Sequence, residues 1–452
     1  MKKYFYIILM ILGLFLGVSA AFSSIKFVLA ILAGIILLSL LLLDYQKATF
    51  ILAFYVVTDY VLRNLIDNPF LAGNWDEIFF ILCIGIWFYK WFTSRKEPAY
   101  TWTPLEIPLF FFFGVSIILL IINSPDMSIG IAGLRQVIEY MFWFFVVVQL
   151  LKSEDGARHL ILLLVLIGTG VALYGIYQYY AGVDVPTSWI DQAENAVGIR
   201  IFSIVVSPNI LGSLMVLTIP LSVSFIYSEK RILKKLFFFA CAISMFVCMI
   251  FTSSRSALIG LLVAALIFVF LKDRRLIIPL ALLCIAAFLF IPQINTRINY
   301  LLSPDYMISS AKGGRLARWP MGIELFKENL LSGVGLGRFG GAVAAINKVP
   351  DSFYMDNYYL KTAVEMGIFG ISAFLILMYN VLIWSIRAIK RITDKKMSTL
   401  VQAAIASMSG VLVTNFFENV FEVPVMVTYF WIIVAVVMYL GYVSNTDSEA
   451  LK

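Results

Sequence analysis

The chain has 452 residues, of which 62% are hydrophobic and only 13% charged, with a formal net charge of +7. A soluble fold of this length cannot hide so much apolar surface, and such a hydrophobic chain is not a disordered one. At about 20 apolar residues per bilayer crossing, the composition calls for roughly a dozen or more helical spans, and it excludes a β-barrel, whose strands alternate in polarity.

In chain order, apolar runs fall near 4–22, 25–43, 48–65, 78–92, 105–122, 131–151 and 159–181, then near 207–227, 236–253, 256–271, 276–292, 358–386, 399–415 and 424–443. The fold class expected from them is all-α: a polytopic transmembrane helical bundle of about 12–14 spans. The first run has the basic start, apolar core and small-residue end of a signal peptide; a second apolar run follows at once, which favours an uncleaved first span.

With both termini placed in the cytoplasm, most of the 34 basic residues fall on the cytoplasmic side. Each long cluster does so: EKRILKK at 229–235, KDRR at 272–275 and RAIKRITDKK at 387–396. This is the asymmetry of the positive-inside rule, so the positive charge points to membrane topology and not to nucleic acid.

The outer side then holds one long non-apolar stretch, 293–357, and a smaller loop near 182–206. An amphipathic helix is expected around 320–331, with Pro320 at its start and Gly333 and Gly335 beyond its end. Cys83, Cys241, Cys248 and Cys284 all lie in apolar runs, without metal-site spacing or a loop pair for a disulfide. His159, the single histidine, cannot build a zinc centre alone, and beside Arg158 it reads as interfacial.

The informative charges are the arginines on the less basic side. Arg200, Arg255, Arg315, Arg318 and Arg338 lie in short polar motifs, and Arg255 in FTSSRSA ends an apolar run, where its charge needs a partner or water. The planar guanidinium fork matches phosphate oxygens, so converging arginines suit an anionic diphosphate; contacts with lipid headgroups or carboxylates are the plainer alternative. Asp356 opens DNYYLKTAVEMGIFG, where the long loop re-enters the membrane. It fits a helix cap, and it also fits a general base taking a proton from a sugar hydroxyl. Glu365, Glu418 and Glu422 are weaker candidates, and Glu139, four residues after Arg135, fits an intrahelical ion pair. The glycines at 333–337 lack the preceding strand and the Gly-Lys-Ser/Thr of a nucleotide loop. Among the loop aromatics, Trp189, Trp319, Phe339, Tyr354, Tyr358 and Tyr359 could stack on sugar rings.

Four fragments in order, GIRIFSIVVSPNILG, FTSSRSALIG, GGRLARWPMGIELFKENLLSGVGLGRFG and DNYYLKTAVEMGIFG, resemble the O-antigen ligase and Wzy-type polysaccharide polymerase superfamily. The resemblance divides the chain into N-terminal spans at 1–197, a ligase/polymerase-like core at 198–386 that includes the loop 293–357, and C-terminal spans with a short cytoplasmic tail at 387–452. It implies glycosyl transfer at the outer face of a bacterial plasma membrane, from a glycan linked to undecaprenyl diphosphate onto an acceptor sugar hydroxyl. No cofactor, nucleotide sugar or catalytic metal is implied, because the diphosphate lipid is itself the leaving group. A chain-length regulator or a flippase is an expected partner.

The resemblance implies that Arg255 and Arg315 hold the diphosphate, and Arg200 and Arg338 fall in matching motifs; these two, with Arg318 and Asn357, are expected at the substrate. Family ligases carry His-Asn at the re-entry, whereas this chain has Asp356-Asn357, which favours a polymerase, most like those of teichuronic acid or capsule, over a ligase. A lipid-linked oligosaccharide flippase is the rival from another class; it should show midplane polar residues and a repeat between halves, and the polar residues here gather at one face.

Overall fold

A computed structural model describes residues 41, 44–65, 69–93, 100–183, 200–205, 207–301, 303–311 and 313–444. Both termini, the first apolar run, nearly all of the second and most of the loop near 182–206 therefore lie outside the described residues. Those described form helices and no strand, as expected of backbone that must satisfy its own hydrogen bonds in lipid.

The early elements are α1 (Lys47–Ala53), α2 (Tyr55–Leu65), α3 (Pro69–Thr93), α4 (Glu106–Ile122), α5 (Met127–Ile138), α6 (Phe142–Leu150) and α7 (Glu154–Ala181). The central ones are α8 (Pro208–Ser228), α9 (Ile232–Thr252), α10 (Arg255–Lys272) and α11 (Ile277–Phe290). The loop region carries α12 (Pro292–Leu301), α13 (Pro304–Ala311), α14 (Arg315–Glu328) and α15 (Ala342–Ile346). The last three are α16 (Tyr358–Ile389), α17 (Lys395–Thr414) and α18 (Pro424–Met438), extended by a π turn.

Among the described residues, eight helices are long and apolar enough to cross a membrane, or nine if α11 and α12 form one bent span. Other apolar runs are helical but broken or short. The run at 48–65 breaks at Phe54, where the Tyr429 hydroxyl takes over two loosened backbone groups: it donates to the Ala53 carbonyl at 2.6 Å and accepts from the Val56 amide at 3.2 Å. α11 and α12 meet at 86° across Ile291, so the chain turns sharply as it enters the long loop.

The core of the bundle is α8, α10 and α17. Small residues let these helices touch: a Cβ on Gly260 would come within 2.9 Å of the Gly410 carbonyl oxygen, and one on Gly410 within 2.7 Å of Val216. Such close approach is the usual basis of helix association in lipid, where the hydrophobic effect offers little.

Contacts between helix ends sort the molecule into two faces. On one, Lys90 bonds the Gln149 carbonyl, Lys152 pairs with Asp44, Arg158 with Glu229, and Lys272 donates to Thr399. The long basic clusters at 229–235, 272–275 and 387–396 flank helix ends on this same face. The other face gathers the starts of α8, α10 and α16, the end of α17 and the loop helices.

Two expectations about the loop change. The helix begins at Arg315, five residues ahead of Pro320, because the Gly313–Gly314 turn starts it: the amides of Ala317 and Arg318 both donate to the Gly314 carbonyl, at 3.1 and 3.0 Å. Pro320 thus sits inside the helix, at the cost of one ladder bond. The glycine-rich segment after α14 serves as a backbone wedge. α16 is kinked at Gly367 (φ +62°), and its opened ladder is completed by the loop: the Val334 amide donates to the Val364 carbonyl at 2.8 Å, the Gly335 amide to the Glu365 carbonyl at 3.1 Å, and the Ile368 amide to the Leu330 carbonyl at 2.8 Å. A Cβ on Gly367 would lie 2.2 Å from the Leu331 carbonyl oxygen, so only glycine fits here.

Candidate active site

The site grows from three chain turns. The turn ending α9 places Ser253 in the left-handed region (φ +56°), and the Ser254 side chain caps α10 by accepting from the Ala257 amide. Arg255 is thereby the first residue of α10, at the loop face, where Tyr306 and Tyr300 stack over its guanidinium at 4.9 and 5.8 Å from their centroids.

The second turn starts α14 and aims Arg315 at the re-entry. Its Nε donates to Asp356 Oδ2 at 2.7 Å and its Nη2 to the Phe417 carbonyl at 2.6 Å. Burial opposes the Arg315 charge, but Asp356 and then Glu418 outweigh it and hold the guanidinium above its ordinary range. The other carboxylate oxygen, Oδ1, accepts from Trp319 Nε1 at 3.1 Å.

The third turn is the re-entry itself. The helix cap falls to Asn357, whose Oδ1 accepts from the Leu360 amide at 3.0 Å. Asp356, one residue earlier, is spared that role and turns its carboxylate to Arg315 and Trp319. Of the two readings that the sequence left open for Asp356, the cap belongs to its neighbour Asn357.

Arg255 and Arg315 line one cavity of about 420 Å³, walled by Ile259, Tyr306, Trp319, Ile323 and Phe417. Two arginines in the lining of a mostly apolar cavity raise the local potential for an anion. The remaining arginines lie outside this wall. Arg200 donates from Nε to the Thr252 carbonyl at 3.0 Å and from Nη2 to Asn209 Oδ1 at 2.9 Å. Asn209 in turn donates to Glu418 Oε2 at 2.5 Å, so Arg200 reaches the site through two intermediaries. Arg318 donates to the Gly313 carbonyl at 2.6 Å and reaches the Tyr354 carbonyl at 3.5 Å, at the rim. Arg338 belongs to the glycine-rich wedge, whose Gly337 packs against Gly133 of α5.

Sequence reasoning missed the turn at 415–419, which ties the parts together. The Asn415 carbonyl accepts from the Tyr358 amide at 2.9 Å, the Phe417 carbonyl holds Arg315, and Asn419 donates to the Gly340 carbonyl at 3.3 Å. Backbone carbonyls leave no residue-type signal; Glu418 and Asn209 did offer one, as polar residues at helix ends in an apolar chain. Glu365 and Glu422 share the Lys361 ammonium at 2.6 and 2.8 Å and accept from the amides of Phe339 and Ala342. This buried triad clamps the glycine-rich segment beneath the site.

The expected Arg135–Glu139 pair is present at 2.6 Å. Glu139 also groups with Asp76 and Glu77 closely enough to hold a cation, and the Arg135 guanidinium lies against that group, bonded to Glu77 as well.

Residues 240–375 match a family model described as O-Antigen ligase. The match covers less than a third of the chain, and the likeness is to that segment alone. A comparison with curated proteins finds no match for the chain. The matched segment holds Arg255, Arg315 and Asp356, and the family supports a multi-pass membrane glycosyltransferase of the ligase or polymerase type, acting on a lipid-linked glycan donor and an acceptor.

Proposed function

We propose that this protein polymerises glycan repeat units at the outer face of a bacterial plasma membrane, joining the glycan of an undecaprenyl-diphosphate donor to a sugar hydroxyl of an acceptor chain. The observation that carries this reading is the shared cavity: two arginines on an apolar wall, with a carboxylate tied to one of them. Both termini lie in the cytoplasm on this reading, which puts the basic face inside, as the positive-inside rule requires.

The diphosphate binds Arg255 and Arg315, and their charges stabilise the negative charge that grows on it as the glycosidic bond breaks. Before the donor arrives, Arg315 is engaged by Asp356. A diphosphate offers more charge and more acceptor oxygens than one carboxylate, so it draws Arg315 away and releases Asp356 Oδ2 as its substrate enters. Asp356 then takes the proton of the acceptor hydroxyl as that oxygen attacks the anomeric carbon from the side opposite the leaving group, with inversion. On this reading the base is uncovered by the donor. Arg200 supports the assembly through Asn209 and Glu418, Arg318 guards the rim, Arg338 acts within the wedge, and Asn357 fixes the start of α16.

The decisive experiment adds purified protein to undecaprenyl-diphosphate repeat units from the source organism and separates products by size. A ladder of longer lipid-linked glycans that disappears with Arg315→Ala supports polymerisation. A single transfer to a different acceptor indicates a ligase, and sugar crossing a liposome membrane without a new bond indicates a transporter and ends this reading.

A further inference from the structure

The cavity reaches Asp356 through Arg315 and Trp319; the chain just before Asp356 carries a feature that the transfer chemistry above does not use. Residues 352–355, just before Asp356, have no helix, and Tyr354 is the exposed residue among them, next to the buried Met355. Met355 is fully buried, and together with Phe339 and Val364 it forms a small separate core on which Phe353 also packs. Phe353 meets Phe339 edge to face at 5.0 Å. Tyr354 stands two residues before Asp356, and its phenol lies close enough to that carboxylate to feel its charge.

Tyr354 is 53% exposed, yet its hydroxyl is anchored to Glu418, a carboxylate only 5% exposed. Glu418 is itself held by Asn209 Nδ2 at 2.5 Å and by the Asn419 amide at 3.2 Å. Burial of the hydroxyl and the neighbouring Glu418 keep the phenol well above its ordinary titration range, so it stays a donor. From the backbone side, Arg318 reaches the Tyr354 carbonyl at 3.5 Å. The ring is thus fixed at its tip and beside its backbone, while its face stays open. A rigid, half-exposed aromatic of this kind is a stacking surface whose ordering cost is already met before a ligand arrives.

We propose that Tyr354 is the platform of the acceptor subsite, stacking on a pyranose ring of the incoming glycan and presenting its hydroxyl to Asp356, with Glu418 as the positioning residue that sets the ring. This assignment rests on the transfer reaction proposed above. Tyr354 lies outside the wall of the arginine-lined cavity, so donor and acceptor use different residues.

The test uses the full-length protein in detergent and a lipid-free oligosaccharide of two repeat units with a blocked reducing end. Without a diphosphate this probe acts only as acceptor. Tyr354→Ala is expected to raise the KM for the probe about three- to tenfold, in keeping with the strength of aromatic contacts, and to leave the KM for the lipid-diphosphate donor unchanged. Tyr354→Phe, which keeps the ring and loses its anchor, and Glu418→Gln should each move the same acceptor KM by a smaller factor. An unchanged acceptor KM in Tyr354→Ala, or an equal rise for donor and acceptor, overturns the assignment.

Saturation-transfer NMR with the same oligosaccharide gives a readout without turnover. Saturation of aromatic protons should reach the sugar in wild type and fade in Tyr354→Ala, with both proteins equally monodisperse. Sugar signals from a wild type that makes no glycosidic bond would retain the subsite and reject the transfer reading; no saturation in wild type rejects the subsite.

Discussion

Lys361–Glu365 and Lys152–Asp44 are ion pairs of the same chemistry, and both measure 2.6 Å. They differ in surroundings. The first lies at the loop face with its side chains 5% and 3% exposed, and the second at the opposite face with 34% and 38%. A buried pair has already lost its water, so removing one partner strands the other; an exposed pair gains little that water would not give back. Equal distances therefore hide unequal consequences. The basic face pairs its charges where water reaches them, while the loop face buries some of its own beside the candidate site.

The largest expected effect concerns activity. Arg315→Ala should remove the cation from the cavity and the partner from Asp356 together, lowering turnover by about a hundredfold or more in the polymer-ladder assay. Asp356→Asn should cost about 10²–10⁴ if it is the base. Near wild-type turnover by Asp356→Asn, at matched protein level, would remove Asp356 from that role.

Lys361→Met comes next. It leaves Glu365 and Glu422 facing each other without their shared cation, a loss of about 3–5 kcal/mol that a thermal melt in detergent should register. A Tm close to wild type would break the contrast between the two faces. Gly367→Ala forces a side chain into the left-handed region and onto the Leu331 carbonyl, costing about 1–3 kcal/mol and loosening the glycine-rich wedge; protease sensitivity of the 329–342 segment is the sharper readout.

Lys152→Met should be the mildest, within about 0–1 kcal/mol and weaker still in high salt. Its pH dependence has a definite sign. The hydrogen bond from Lys152 holds the Asp44 carboxyl below its ordinary value, although partial burial pulls the other way. The stabilisation is then complete above about pH 4, the ordinary carboxylate range, and is lost only as the pH falls further. A Tm difference between wild type and Lys152→Met that widens on acidification would contradict this.

Much of the molecule is legible from its residues. The helical membrane class follows from composition, and each apolar run within the described residues became helix. Arg255, Arg315 and Asp356 stand out because a charge in an apolar chain needs a reason. Less legible was where loops would dock. The 333–337 glycines are open to several readings as a string, and their use as a wedge depends on a kink some thirty residues later at Gly367. Asn357 and Asp356 look interchangeable as caps until the helix start is known, and the carbonyl of Phe417 cannot be told from any other.

Composition determined by itself that this chain is a multi-pass helical membrane protein, because transfer of apolar and charged groups between water and lipid depends on residue type. Tertiary structure alone decided that Arg255 and Arg315 share a cavity, that Asp356 answers to Arg315 and Trp319, and that the turn at 415–419 binds them. Those relations join residues up to a hundred positions apart through directional hydrogen bonds, and direction exists only once the backbone has folded.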